Sequence, residues 1–453
     1  MRRASIANRL TRTRDDEWIM SRLPGNSGDE MPRLNILYLH QYFTTLDMVG
    51  GTRSYELARR LVDAGHHVCM VTTDRTSADG TGKWRTSFES GIEVHWTPVP
   101  YDNRMSYMER MKAFLQFSTR AAVHMCAQKA DVIYATSTPL TVALPAAVAA
   151  KYLKVPMVFE VRDLWPAVPI AMGVLRAPLL RASALWLERF AYRNSRHIVA
   201  LAPGMKQHIV STGYPEERVT VIPNGADLAL FIAPRGRGAR IRAELPWLGE
   251  RPMVIYCGAI GKLNRVDQLV RIAAATAKRD AEVRFVIVGT GGEEQRVRDL
   301  ATELGVLNSN FFMQGAVPKR EVPAWLDAAD VAIALITGPE VLWKHATQNK
   351  FFDALAAGKP ILSNFKGWQS IIAEEAGAGL IFDTEDAEAA AQRLVSVVRD
   401  SQWLARAGAA AHALAAREFD RDAHARVLEN VLVAAVNEYR GCTPAAGRHE
   451  TLS

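Results

Sequence analysis

The stretch NILYLHQYFTTLDMVGGTRSYELARRLVDAGHHVCMVTT, residues Asn35–Thr73, decides the fold. Its first five residues are an apolar run typical of a buried strand, and a loop with Gly50-Gly51 follows. Apolar residues at helical spacing occupy Ser54–Ala64, and Gly65 then ends the helix before a second apolar strand. A strand, glycine loop, helix and strand make a βαβ unit, which predicts a parallel sheet.

The same alternation continues along the chain and then begins again. Further predicted strands in the first half are Glu93–Trp96, Val132–Ala135, Met157–Val161, His197–Leu201 and Val219–Ile222. Those in the second half are Met253–Cys257, Arg284–Val288, Asn310–Met313, Val331–Leu335 and Pro360–Ser363. The pattern predicts an α/β protein of two Rossmann-like, doubly wound domains, 31–228 and 229–417.

The two ends of the chain have a different character. Residues 1–30 are rich in arginine and have no apolar core, so we expect a disordered extension rather than a secretory signal. A last helix, 418–440, is long enough to cross back to the first domain, and 441–453 is expected to be a flexible tail.

Composition excludes several classes of protein. The chain has 453 residues and a net charge of +7, and its four cysteines lack the spacing of a zinc site or disulfide framework. The cysteine pattern fits a reducing cytoplasm, and no apolar run approaches the ~20 residues of a membrane span. Basic residues are not interleaved with aromatic residues in a nucleic-acid-binding motif, so we expect no nucleic-acid partner.

Glycines follow several predicted strands, where open parallel sheets bind ligands. Gly50 and Gly51, Gly258, and Gly289 and Gly291 occupy these strand-to-helix corners. Each alone is more often a turn residue, but together they favour a ligand that carries phosphate. Neither GxGxxG after the first strand nor a GK[ST] P-loop is present, which disfavours a dinucleotide cofactor or a P-loop enzyme.

Charged residues cluster at two further strand or helix ends. Glu160, Arg162 and Asp163 end an apolar strand, and Lys350 and Asp353 share one face of a helix. Structural ion pairs are the alternative for both sets. Asp420-Arg421-Asp422 has the DxD form of a metal site, but aspartate at a helix start is usually a cap, and we assign no metal.

Two segments have the character of a surface for lipid. Met105, Met108, Met111, Phe114 and Phe117 recur at three-residue spacing, as in a core helix or an apolar face near a lipid acceptor. Residues 151–212 carry nine Lys/Arg against three Asp/Glu. This excess leaves open a peripheral contact with an anionic membrane, with a solvated basic face as the alternative.

The chain resembles glycosyltransferase family 4, which has the two-domain GT-B fold, and within it the bacterial O-antigen and capsule sugar transferases called WbuB-like. The resemblance covers about Leu34 to Tyr439. It is carried by the joint occurrence and order of several stretches: LHQYF (39–43), GGTRSYELARRL (50–61), EVRDLWPAVPIAMGVL (160–175), VTVIPNGAD (219–227), GAIGKLNRVDQLV (258–270), FVIVGTGGEEQRVRDLA (285–301) and NKFFDALAAGKPIL (349–362).

The resemblance implies roles for individual residues. Gly50 and Gly51 would face the donor diphosphate and the transferred sugar, and Gly289 and Gly291 would line the nucleotide cleft. Asp353 takes the place of the acid that binds the ribose hydroxyls, and Lys350, after Asn349, would lie near the diphosphate.

The sequence departs from the family at three positions. His345 replaces a glutamate eight positions before the ribose-binding acid, and Ala259 and Asn264 replace basic residues. Lys262 and Arg265 are the candidates to take over as phosphate cations.

The resemblance implies a retaining transfer from a nucleotide-diphosphate sugar, with UDP and an N-acetylated or deoxy sugar expected. The acceptor would be polyprenyl-diphosphate-linked or a glycan, in surface polysaccharide synthesis, with no cofactor or metal. Catalytic candidates are Glu160, Arg162, Asp163, Lys262 and Lys350; donor-binding candidates are Gly50, Gly51, Gly258, Arg265, Gly289, Gly291, Asn349 and Asp353. A nucleotide-sugar epimerase and a catalytically silent binding module are the alternatives.

Overall fold

A computed structural model describes residues 32–74, 83–100, 105–232 and 236–442. The predicted extension 1–30 and residues 443–453 of the predicted tail lie outside this part of the chain. The final helix continues through Cys442, two residues into the predicted tail.

The first domain is built on an eight-stranded sheet. Its strands are β1 (Asn35–Leu39), β2 (His67–Asp74), β3 (Arg85–Glu89), β4 (Ile92–Pro98), β5 (Val132–Thr136), β6 (Met157–Val161), β7 (His197–Ala200) and β8 (Val219–Val221). They lie in the order β3-β4-β2-β1-β5-β6-β7-β8. All neighbours are parallel except β3 and β4. Strand β3 was not predicted, because its polar edge sequence RTSFE lacks an apolar run.

Helices cover both faces of this sheet. They are α1 (Arg53–Asp63), α2 (Tyr107–Cys126), α3 (Ala143–Leu153), α4 (Ala167–Ala171), α5 (Pro178–Arg193) and α6 (Pro203–Ser211). Apolar side chains of α2, α3, α5 and α6 pack in one core cluster, and those of α1 pack on the opposite face. This double covering explains the near-continuous apolar strands, because neither face of the sheet meets water.

The second domain repeats the design on a six-stranded parallel sheet. Its strands are β9 (Met253–Cys257), β10 (Arg284–Val288), β11 (Phe311–Gly315), β12 (Val331–Ala334), β13 (Ile361–Ser363) and β14 (Gly379–Ile381), in the order β11-β10-β9-β12-β13-β14. Its helices are α7 (Leu228–Ile232), α8 (Arg237–Glu244), α9 (Val266–Ala277), α10 (Glu294–Glu303), α11 (Val322–Ala328), α12 (Glu340–Trp343), α13 (Asn349–Ala356), α14 (Trp368–Glu375), α15 (Ala387–Val398) and α16 (Ser401–Glu418).

The last helix, α17 (Arg421–Cys442), returns to the first domain. Its Leu428 and Leu432 are buried in the same core cluster as Leu57 of α1. The outgoing and returning segments pair where they cross, since the Ala226 N–H donates to the Phe419 carbonyl at 3.1 Å. The structure confirms the predicted α/β fold of two Rossmann-like domains with a crossing C-terminal helix. No helix among the described residues is long and apolar enough to span a bilayer.

Candidate active site in the cleft between the domains

A cavity of about 450 Å³ lies between the two domains. The first domain contributes residues that directly follow β1, β5 and β6, and the second contributes the segment that leads into α13. Five of the thirteen predicted site residues line it: Gly50, Gly51, Arg162, Asp163 and Asn349. The carboxyl ends of parallel strands therefore supply much of the first domain's wall, as expected for this sheet type.

The glycine loop before α1 forms part of the cleft wall. Gly50 has φ +145°, a conformation that other residues rarely adopt. Thr44 Oγ1 donates to the Gly51 carbonyl at 2.8 Å and holds the loop in place. A Cβ atom on Gly51 would lie 2.9 Å from Nδ2 of Asn349, so this loop approaches the opposite domain closely.

Arg162 and Asp163 face the cleft from the end of β6. The Arg162 N–H donates to Ser137 Oγ at 3.0 Å, and Arg162 Nη1 lies 3.2 Å from Nε2 of His40. Asp163 is exposed and accepts a hydrogen bond of 3.0 Å from Thr138 Oγ1. The sequence did not single out His40, although its position directly after β1 is where such a sheet places ligand-binding residues.

Glu160 does not line the cleft, which corrects its prediction as a catalytic residue. Its side chain is fully buried, and it accepts hydrogen bonds from Arg53 at 2.8 Å and from Tyr134 at 2.7 Å. Burial alone would raise the pKa of Glu160, but the Arg53 guanidinium holds it below its ordinary value. The end of β6 at Val161 explains the difference, because Glu160 is still within the sheet whereas Arg162 and Asp163 have left it.

Arg53 is a buried residue that the sequence analysis missed. It opens α1, directly after the glycine loop, and also donates to the carbonyls of Pro223 at 2.6 Å and Ile222 at 2.9 Å. One guanidinium thus ties the helix that follows the glycine loop to β6 and to the segment that leaves the domain. The sequence signal was an arginine at the first position of the helix, directly after the glycine loop.

A second group of predicted residues lies at the end of β9. Lys350 donates to the Tyr256 hydroxyl at 2.6 Å, and that hydroxyl donates to the Ala259 carbonyl at 2.8 Å. Burial lowers the pKa of Lys350 to about 7. Gly258 lies beside it with φ +155°, and a Cβ atom there would lie 2.9 Å from Lys350 Cε. Glycine at this position therefore leaves room for the lysine side chain.

Gly289 and Gly291 allow two strand-end loops to pack backbone to backbone. A Cβ on Gly289 would lie 1.8 Å from the Gly258 carbonyl oxygen, and one on Gly291 would lie 2.3 Å from that of Ile260. The Ile260 N–H donates to the Thr290 carbonyl at 2.9 Å. These glycines shape the second domain's strand-end region by steric necessity.

Asp353 is buried in α13 and pairs with a residue that the sequence did not indicate. Its Oδ2 lies 2.5 Å from Nζ of Lys319, which lies in a single turn after β11. The sequence could not reveal this pair, because the two residues are separated by 34 positions and lie on different elements.

The residues expected to replace the family's phosphate cations differ in their surroundings. Lys262 is exposed, whereas Arg265 adopts φ +43° and donates to Asp267 Oδ1 at 3.1 Å. His345 packs against the start of α6, where a Cβ on Gly204 would lie 1.9 Å from its ring. Burial, with smaller effects of Lys344 and His208, lowers the pKa of His345.

The DxD segment has local partners. Asp420 Oδ1 accepts the Asp422 N–H at 3.0 Å, and Asp422 Oδ1 lies 2.5 Å from Nε of Arg60. These contacts fit the interpretation of a helix start. Across the described ranges, no group of three or more His, Cys, Asp or Glu residues is arranged to hold a metal ion.

The helical layer of α2, α3 and α5 exposes an apolar face. Eleven of the sixteen exposed large apolar side chains in the described chain lie on this layer or in the segment between α4 and α5. The most exposed of them are Met108, Leu115, Val123, Tyr152, Val174, Leu179 and Trp186. Exposed basic residues share the layer: Lys112, Lys151, Lys154, Arg176, Arg181, Arg189 and Arg193. In the methionine and phenylalanine stripe, Phe117 is core, whereas Met108 is 74% exposed.

Comparisons with known proteins agree with this architecture. The model of the "Glycosyl transferase 4-like domain" matches residues 50–225, and that of "Glycosyl transferases group 1" matches residues 251–400. Together the two models match more than half of the chain. They fall on the first and the second domain respectively.

Three known proteins illustrate the similarity. The putative colanic acid biosynthesis glycosyl transferase WcaI of Escherichia coli is 23% identical over 86% of this chain and 96% of its own length. The D-inositol 3-phosphate glycosyltransferase of Nocardia farcinica is 28% identical over 57% of this chain and 58% of its own length. The crystal structure of Anabaena HepE with UDP and glucose superposes with a TM-score of 0.65 at 18% identity, covering 89% of this chain and all of that one.

Proposed function

Because the chain belongs to glycosyltransferase family 4 and has the GT-B architecture, we propose that it is a retaining sugar transferase of surface polysaccharide synthesis. The donor is a nucleotide-diphosphate sugar, and the acceptor is a lipid-linked or glycan chain. The observation that carries the proposal is the interdomain cleft, where Arg162 and Asp163 of one domain face the Asn349 segment of the other. Two substrates can meet in such a cleft with water largely excluded.

The donor nucleotide is assigned to the second domain. Lys350 follows Asn349 directly, so the residue that lines the cleft leads into the lysine beside the Gly258 loop. UDP is the proposed nucleotide, supported by the ligand named in the HepE structure, and an N-acetylated or deoxy sugar remains our expectation.

The transfer needs stabilisation of a departing diphosphate. As the bond from the anomeric carbon to the phosphate oxygen stretches, negative charge grows on the diphosphate and positive charge grows on the sugar. A preorganised hydrogen-bond donor aimed at such a charge is worth about 3 kcal/mol. Lys350 is the proposed cation, while Arg162 and Asp163 orient the sugar and the acceptor hydroxyl from the opposite wall.

The acceptor is proposed to arrive on a lipid. The apolar and basic face of α2, α3 and α5 belongs to the domain opposite the donor domain. Exposed apolar side chains beside lysines and arginines favour contact with an anionic membrane, and they support our proposal of a peripheral enzyme at the inner face of the plasma membrane. The colanic acid role in the name of WcaI supports the pathway class.

The test is nucleotide binding followed by transfer. Thermal unfolding is measured with UDP, GDP, ADP, CMP and TDP, and we expect one diphosphate to raise the melting temperature. The matching sugar donor is then supplied with a lipid-linked acceptor, and the anomeric configuration of the product is read by NMR. The proposal is supported if the product retains the anomeric configuration of the donor. The rate of transfer should also stay the same when a chelator of divalent metals is added.

Other outcomes reject it. Isomerisation of the nucleotide sugar without an acceptor would indicate an epimerase. Binding without any transfer or donor hydrolysis would indicate a silent module.

A further inference from the structure

A buried ion pair lies at the base of the proposed nucleotide site. Lys319 Nζ is 2.5 Å from Asp353 Oδ2, and both side chains are only 8% exposed. Removing two charges from water usually costs as much as their attraction returns. A gain in folding stability is therefore a weak explanation for this pair. Its position beside the proposed donor residues points to a role in donor binding.

Other titratable side chains lie around this pair. The Lys350 ammonium, one turn before Asp353 on α13, has a pKa of about 7 because of burial and is only partly charged at neutral pH. The nearby Cys257 thiol stays neutral, because burial, reinforced by Asp353, raises its pKa to about 12. Lys319 is thus the cation in direct contact with Asp353, while the buried Arg421 guanidinium acts on the same carboxylate without a direct ion pair.

The position of Lys319 is fixed from both sides. Its ammonium lies 5.7 Å from the ring centroid of Phe231 in α7. The next residue, Arg320, donates its N–H to the Leu46 carbonyl of the opposite domain at 3.3 Å, and its guanidinium pairs with Asp47. The single helical turn that carries Lys319 is held between the two domains.

We infer that Lys319 is a positioning residue for the donor nucleotide, which holds the Asp353 carboxylate in the orientation that accepts the ribose hydroxyls. The inference rests on the proposed function. An ionised carboxylate offers about four lone-pair sites, so Oδ2 can keep its lysine while the remaining sites accept two hydroxyl donors. Without Lys319, the buried carboxylate loses the cation that contacts it and turns toward other donors, such as the buried Arg421, or toward water.

The experiment compares affinities for a ribonucleoside diphosphate and its 2′-deoxy analogue by calorimetry. UDP and 2′-deoxy-UDP are the first pair, replaced by the nucleotide that the wild type prefers. We expect the wild type to prefer the ribonucleotide by about tenfold, the worth of one hydrogen bond to a charged group. Lys319→Met should reduce that preference to nearly one, and Lys319→Arg should keep most of it.

A double-mutant cycle with Asp353→Asn separates positioning from folding. If Lys319 acts through Asp353, adding Lys319→Met to Asp353→Asn should change the preference little further. Lys319→Gln, which keeps a polar contact with the carboxylate, takes the place of the methionine variant if that variant does not fold.

Two results overturn the inference in distinguishable ways. A variant that melts earlier but keeps the wild-type preference for ribose would show that Lys319 only supports the fold. A wild type that binds a nucleoside diphosphate without any ribose preference would remove the role of Asp353, and with it that of Lys319. No binding of any nucleoside diphosphate by the wild type would instead reject the proposed function.

Discussion

Gly51 of the first domain faces Asn349 of the second so closely that a Cβ atom on the glycine would lie 2.9 Å from the asparagine amide nitrogen. Both residues line the cleft, and both were predicted as donor-site residues from the sequence. The gap between the two walls of the cleft at this point is therefore too narrow to accept one additional methyl group without a shift of Asn349.

Gly51→Ala should therefore impair transfer more than stability. The atom that the new methyl group meets is the end of a side chain, so Asn349 can turn away at little cost to the fold. Displacing a positioning group by about 1 Å costs up to about a hundredfold in rate, and we expect a tenfold to hundredfold loss of kcat. Gly51→Ala combined with Asn349→Ala removes the clash but also the amide; recovery beyond Gly51→Ala alone would show that the clash was the cause.

Nucleotide affinity should depend on the proton of Lys350. Burial lowers its pKa to about 7, so the ammonium is present below that pH and lost above it. Diphosphate binding should then weaken as pH rises from about 6 to 8, and it should take up a proton near neutral pH. Calorimetry in buffers of different ionisation enthalpy measures that uptake.

Lys350→Arg provides the control, because arginine stays charged throughout this range. Its affinity should be nearly flat with pH. An equally steep pH dependence in this variant would remove Lys350 as its source.

The same lysine should affect stability with the opposite trend. Its folded-state pKa is lowered from 10.5 to about 7, so the unfolded chain binds more protons between these values. The cost of burying Lys350 is therefore full below pH 7 and is relieved as pH rises toward 10. Lys350→Met should be more stable than the wild type near pH 6, and the gain should shrink by pH 9 in urea unfolding.

Loss of the charge of Glu160 should lower the stability of the fold, whereas loss of the charge of Asp163 should lower turnover. Glu160→Gln weakens the buried pair with Arg53, and breaking such a pair costs about 3–5 kcal/mol of unfolding free energy. Asp163→Asn changes an exposed residue in the cleft, so its stability should stay within about 0.5 kcal/mol while turnover falls. Urea unfolding and initial rates, measured on both variants, would contradict this assignment if the two effects were exchanged.

Gly289→Ala should destabilise the second domain. Its new methyl group would lie 1.8 Å from a backbone oxygen of Gly258, and backbone cannot move aside as a side chain can. We expect a loss of about 2–3 kcal/mol, as for overpacked cores. Gly292→Ala in the same loop is the matched control, because no heavy atom lies within 4 Å of its Cβ position. Similar urea unfolding midpoints for the two variants would contradict the close approach of Gly289 to the Gly258 backbone.

Membrane contact should depend on the apolar face of α5. Leu179 and Trp186 are 78% and 59% exposed, and replacing both with serine should reduce cosedimentation with phosphatidylglycerol-rich vesicles several-fold. Phe88→Ser is the matched control, since Phe88 is 73% exposed on β3, outside this face. Vesicles of phosphatidylcholine should bind less of the wild type, because the basic residues then lack anionic partners. An equal loss of vesicle binding in the Phe88 variant would show that nonspecific hydrophobic adsorption, and not this face, causes the binding.

Much of the fold was predictable because its signals are local. Apolar runs of five residues, glycines at their ends and helical spacing between them predicted most strands of both sheets. Strand β14 was missed, since Gly379–Ile381 is only three residues long, shorter than the apolar runs that predict a strand. Register and neighbour order were not deducible from those signals, because they depend on contacts between distant segments.

The sequence by itself determined the two-domain α/β architecture, the glycine corners and the family, since these depend on patterns within short stretches of chain. Only the tertiary structure decided the roles of charged residues. It buried Glu160 against Arg53, brought Lys319 to Asp353 and turned Arg265 toward Asp267. An aspartate, glutamate or lysine has the same one-letter code in the sequence whether its side chain lies in a cleft or in a core. Its surroundings are set by folding, and those surroundings determine whether it binds a substrate or another side chain.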